Sequence, residues 1–221
     1  MRFSKFAGIL SCTTAAFILI APIEVEAATF KVISGVTSID HDHEDILRNI
    51  GLTLTGGNHT VAPIPRNYLV GFNIDSATNF TFSDQGGFTP LSGTIEHTGT
   101  VTFNNQITVG EFSIGFAPGR TTKDASGLVL KDTISLNTIL FDLSAPGLVA
   151  FDGQTLTIPD VKLLISPEFA NILQKPDLIG LYAGTAQINT KVAAVPEPNS
   201  VLATLVAGAA LLVSRFIYSK N

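Results

Sequence analysis

The densest set of side chains able to do chemistry is the run Asp40-His41-Asp42-His43-Glu44-Asp45. In an extended strand successive side chains alternate in direction, so His41 and His43 share one face and could chelate a transition metal such as zinc. Asp40, Asp42 and Glu44 share the other face and could offer carboxylate oxygens to calcium. The run departs from an EF-hand loop, which needs glycine at its sixth position and a carboxylate at its twelfth; here those places hold Asp45 and Gly51. A plain alternative stays open: the acids are a solvated flank before a helical turn from Asp45 to Ile50, favoured by the helix dipole and ended by Gly51. Calcium and zinc are not separable on these residues, and no other cofactor is implied.

The remaining polar residues carry weaker signals. His97 falls on the apolar parity of Ile95 and Val101, which predicts a structural histidine facing the core or the edge of a sheet, and His59 in Gly56-Gly57-Asn58-His59-Thr60 reads as a loop residue. A Gly-x-Ser-x-Gly elbow, a His-Glu-x-x-His pair and a phosphate-cradling Gly-x-x-x-x-Gly-Lys are all missing from the sequence, and its acids are scattered singly. These features point away from an enzyme. Sugar binding would have to rest on Tyr68, Tyr182 or an exposed Phe as stacking platform, because the chain has no Trp. Most of the 15 Phe stand at apolar strand positions, which reads as core.

The elements that must position these groups are strands. Thr94 to Phe103 sets Ile95, Val101 and Phe103 on one face and Thr94, Glu96, Thr98, Thr100 and Thr102 on the other; Asn104-Asn105-Gln106 turns the chain into a partner strand, Ile107 to Phe116. The apolar parity of that partner changes between Val109 and Phe112, which predicts a bulge near Gly110-Glu111. Further short strands are expected at 30–33, 53–54, 68–74, 80–82, 128–131, 138–143, 154–158, 161–165 and 185–190, separated by turns such as Gly86-Gly87 and Asp152-Gly153. Ser166-Pro167-Glu168 reads as an N-cap, a proline at the first helical position and an acid in the first turn, with Pro176 as the stop. Short strands without long helices predict an all-β, antiparallel β-sandwich or jelly-roll-like domain over residues 28–190, with a linker at 191–200. Residues 28–194 carry nine Lys and Arg against fifteen Asp and Glu, a balance that argues against a nucleic-acid partner.

Both ends of the chain read as addresses. Arg2 and Lys5, the apolar stretch Phe6 to Pro22 and the small-residue site Val25-Glu26-Ala27 form a secretory signal peptide over residues 1–27. Lipid attachment at Cys12 is the weaker alternative, since the most apolar part, Ala15 to Ala21, lies beyond it. Cleavage after Ala27 removes the chain's one cysteine and with it any disulfide. At the other end Val195-Pro196-Glu197-Pro198 is stiff and non-helical, because each proline fixes its own backbone and restrains the residue before it. Val201 to Val213, polar only at Thr204, then forms a transmembrane helix of about 20 Å against a hydrocarbon core of about 30 Å. Phe216, Ile217 and Tyr218 lengthen it if Arg215 snorkels, and Arg215 with Lys220 favours a cytoplasmic C-terminus.

Pro196-Glu197-Pro198, the apolar helix and the basic tail with Arg215 and Lys220 resemble the PEP-CTERM sorting signal of exported proteins in Gram-negative bacteria, including cyanobacteria. The tail departs from the usual tight Arg cluster by spreading its charges around Phe216-Ile217-Tyr218. The resemblance implies an exosortase as partner, a C-terminal helix held in the inner membrane before processing, and a destination in the cell envelope, on the surface or in the extracellular matrix. It also implies association with exopolysaccharide. The expected function is therefore that of a non-enzymatic surface or matrix protein; a glycan- or metal-binding module is the alternative.

Overall fold

The structure, a computed structural model, describes residues 29–40 and 51–196. The signal peptide, His41, Asp42, His43, Glu44, the turn expected at 45–50, Glu197, Pro198, the C-terminal helix, Arg215 and Lys220 lie outside the described residues.

Eight antiparallel strands form a ring in chain order: β1 (Thr29–Asp40), β3 (Val70–Ile74), β6 (Thr94–Thr98), β9 (Ser113–Thr121), β10 (Ser126–Lys131), β11 (Ile139–Leu143), β13 (Thr155–Ile165) and β14 (Tyr182–Val195). The ring closes because β14 returns to β1 along its whole length, from Thr29 opposite Val195 to Asp40 opposite Thr185. The all-β, antiparallel expectation holds, but the sheet shuts on itself as an up-and-down barrel where two stacked sheets were expected. Period-two alternation places apolar residues inward in either architecture, so closure is invisible to it. The expected linker is also shorter, since Lys191 to Val195 are strand, paired with β1. At the seam Gly35 is obligatory: a Cβ there would stand 2.2 Å from the Asn189 carbonyl oxygen.

Extra strands decorate the ring. β4 (Thr81–Ser83) pairs with the first residues of β1 and carries β5 (Thr89–Ser92), and β12 (Ala150–Phe151) pairs with the start of β13. A separate three-stranded sheet joins β2 (Leu54–Asn58), β7 (Thr100–Phe103) and β8 (Ile107–Gly110). β6–β7 and β8–β9 are the hairpin expected from the sequence, broken in two. Gly99 (φ 106°) interrupts one arm and Glu111 (φ 43°) the other, with the Glu111 N–H donating to the Gly99 carbonyl at 2.9 Å. Glu111 is the extra residue that the parity change required. Its bulge bends the hairpin while keeping Val109 and Phe112 on the inner side.

The short helix α1 (Pro167–Ile172) begins as expected: the Ser166 hydroxyl accepts from the Phe169 N–H at 3.0 Å, and it donates to the Ile139 carbonyl at 2.6 Å. Pro176 opens a 3₁₀ turn, Pro176–Leu178, which leads into β14.

Candidate functional site

One end of the barrel is hollow. The rim where β1, β6, β10 and β13 finish, and where β3, β9, β11 and β14 start, surrounds a cavity of about 60 Å³. Ile39, Phe72, Leu140, Leu163 and Ala183 line it from the ring. The β2–β7–β8 sheet roofs it: the cross-strand pairs Val101–Val109 and Phe103–Ile107 turn apolar side chains to the cavity, while Thr102 and Thr108 hydrogen-bond to each other at 2.9 Å. Phe169, Ile172 and Leu173 close the side, with the Phe169 ring set edge-on to Phe141 at 5.8 Å. Every lining residue among the described residues is apolar. The wall therefore offers a bound molecule neither acid nor base nor nucleophile, and no group to orient it.

Two polar devices hold this end in place. Asp132, fully buried, accepts from the Gly110 N–H at 2.8 Å with one oxygen and from the N–H groups of Ser135, Leu136 and Asn137 with the other, at 3.1, 2.7 and 3.1 Å. It fastens the loop bearing Leu136, a wall residue, to the roof strand β8. Arg120 grips both Asp142 oxygens, at 2.6 and 2.8 Å, and reaches Glu168 in the first turn of α1 at 2.7 Å. The Asp142 hydrogen bonds hold the guanidinium proton more tightly than usual, with a smaller contribution from Glu168. Partial burial pushes the Glu168 carboxyl up, but its own backbone N–H and Arg120 outweigh this and keep it below its ordinary value. No sequence signal joins these three residues, which lie 22 and 48 positions apart along the chain.

His97 is buried as its parity predicted. Its Nδ1–H donates to the Phe112 carbonyl at 2.8 Å, which leaves Nε2 to accept from the Thr37 hydroxyl at 2.7 Å. Burial pushes its pKa down from 6.5 to about 4, against smaller upward effects of the Phe112 carbonyl and Glu96. A fully satisfied neutral imidazole in this position is a structural member of the barrel interior.

The residues first singled out are not brought together at the cavity. Asp40 ends β1, and its four partners in the acidic run lie outside the described residues. Among the described residues, no group of three or more His, Cys, Asp or Glu is placed to hold a metal ion. His59 is an exposed loop residue with φ 54°, and Tyr68 and Tyr182 are half-buried. Among the described residues the exposed aromatic ring is Phe116, 55% accessible beside a groove on the outer surface with Asn79, Ser92, Thr94 and Ser113. The wall residues of the cavity were legible as apolar core, but nothing in their types separates a filled core from a hollow one.

Fold and site together define a closed, eight-stranded, antiparallel up-and-down barrel with an apolar-lined cavity under a β-sheet roof. No protein-family model matches the chain, and no curated protein matches it. Among solved structures, the C-terminal domain of HtaA from Corynebacterium glutamicum is similar at 11% identity and a TM-score of 0.45, over 74% of this chain and 99% of that one. That likeness is too distant to carry fold or function, and both rest on the ladders and side chains described above.

Proposed function

We propose that the chain is an exported, non-enzymatic surface or matrix protein, sorted through Pro196, Glu197 and Pro198 by an exosortase, with Arg215 and Lys220 behind the membrane helix. One geometric observation carries the reading furthest: Thr29 and Val195 are cross-strand partners. The first and last strands therefore begin and end side by side at one rim, which supports a reading in which the expected leader and sorting motif adjoin the barrel there. Both membrane-directed segments can engage the bilayer while the domain stands folded outside it, with the roofed end at the far rim.

The test is the intact mass of the protein recovered from the cell surface and from the medium, for the native chain and for a variant carrying Pro196→Ala, Glu197→Gln and Pro198→Ala. Export should persist in the variant, and retention or processing should change. Unchanged mass and location would refute the sorting assignment.

A second reading, attachment to exopolysaccharide, is favoured by the Phe116 groove, of about 540 Å³, which sets an exposed ring beside hydroxyl and amide side chains. Co-sedimentation with the cells' own polysaccharide should weaken on Phe116→Ala; equal binding by the variant excludes this groove. Calcium or zinc at Asp40, His41, Asp42, His43 and Glu44 is decided by calorimetry, where silence at micromolar metal ends the idea.

A further inference from the structure

We propose that the hollow end of the barrel takes the terminal segment of a linear alkyl chain, admitted beside the end of α1. Three observations select this ligand class, independently of how the protein is sorted.

The wall excludes water as the natural filling. A buried water needs two to four polar partners, and the cavity wall, apolar at every described residue, supplies none among them. Its size then excludes rings. At about 60 Å³ it is less than half the roughly 150 Å³ of an engineered cavity that admits benzene, so an aromatic nucleus is too wide and a chain end is not. The wall also shows where a chain would enter. Ile172 is 42% exposed although it lines the cavity, so the thin part of the wall lies at the end of α1. A chain end inserted there leaves its polar head in solvent, which suits a wall that can bind no head group. The ligand is thus a monomeric single-chain amphiphile, recognised by its tail.

Ala183 provides the test. It is 1% exposed and lines the cavity with the smallest side chain in its wall, so Ala183→Leu puts side-chain volume where the ligand would go. The probe is 1-decanol below its solubility limit, titrated by calorimetry into the protein as purified from the producing cells, with shorter alcohols for comparison. The native chain should bind one molecule, and affinity should rise about fourfold per methylene while the cavity fills. Ala183→Leu should weaken binding about tenfold or more, the loss expected when a void of this size is no longer available, and should melt no lower than the native chain. No saturable binding by the native chain, or equal binding by Ala183→Leu, overturns the proposal. Should Ala183→Leu fail to fold, xenon NMR of the native chain replaces it. Decanol must then displace xenon from a protected site, and a xenon signal indifferent to decanol is equally fatal.

Discussion

At the rim where β1 begins, the barrel is filled by interlocking rings. Phe30 stacks on Phe82 at 5.6 Å and meets Phe151 edge-on at 4.7 Å, while Phe82 touches Phe88 and Phe151 at 5.3 and 5.4 Å. At the rim where β1 ends, a sheet and a helix arch over space that no side chain of the described residues fills. The first rim is closed by side-chain volume: rigid rings from β1, β4 and β12 meet directly, each pair adding about 0.5–1.5 kcal/mol beyond the area it buries. The second is closed by backbone architecture. Its roof is held by the Glu111 bulge, the four N–H groups gathered by Asp132 and the Arg120 clamp on α1, so the side chains beneath it need not touch. A void survives where polar scaffolding, rather than packing, fixes the distance between elements.

The comparison breaks if the filled rim tolerates truncation. Phe82→Ala should cost about 3–5 kcal/mol in chemical denaturation, because Phe82 is 1% exposed and its three ring neighbours cannot all collapse into the space. A loss under about 1 kcal/mol would mean that this rim is also loosely packed.

Acid should act on the interior beside the hollow rim. His97 has a folded-state pKa of about 4 against 6.5, so between those values the unfolded chain binds the extra proton and the native chain does not. Stability from this group is complete above pH 6.5, falls as pH drops through that window and is lost below pH 4, by about 3 kcal/mol in total. Urea melts at pH 7 and pH 4 measure the slope, and His97→Gln should flatten it. An unchanged slope in that variant would assign the acid sensitivity to other groups.

Added bulk distinguishes the rims most directly. Val32, fully buried beside Phe80, should accept Phe only at about 1–3 kcal/mol, whereas Ala183→Leu under the roof should be neutral or stabilising in thermal melts. Equal penalties at both positions would deny the asymmetry. The smallest loss expected is at the cap of α1: Ser166→Ala removes the hydroxyl that accepts from Phe169 and donates to Ile139, for about 1–2 kcal/mol. Its thermal shift should be accompanied by faster amide exchange at Phe169, Ala170 and Leu173.

How far residues alone reach differs between features. The Ser166 cap was readable because capping joins atoms three residues apart, and the Glu111 bulge because a bulge shifts parity within one strand. The inward setting of His97 followed from the same alternation. By contrast, Gln154–Ile158 and Val161–Ile165 read as separate strands because Pro159-Asp160 resembles a turn; the structure runs them together as β13, absorbing Asp160 as a bulged residue at φ 55°. The Arg120, Asp142 and Glu168 clamp had no local trace at all.

The sequence by itself determined the all-β character, the antiparallel hairpins and the capped helix, because each depends on residues a few positions apart. Only the tertiary structure decided that the first strand meets the last, from Thr29 at Val195 to Asp40 at Thr185, and that one end of the resulting barrel is left hollow. Inward-facing apolar residues look alike whether or not they touch. Whether they do is set by the stagger of the closed ring and the height of the roof above it, distances to which every strand contributes and which no segment of the chain contains.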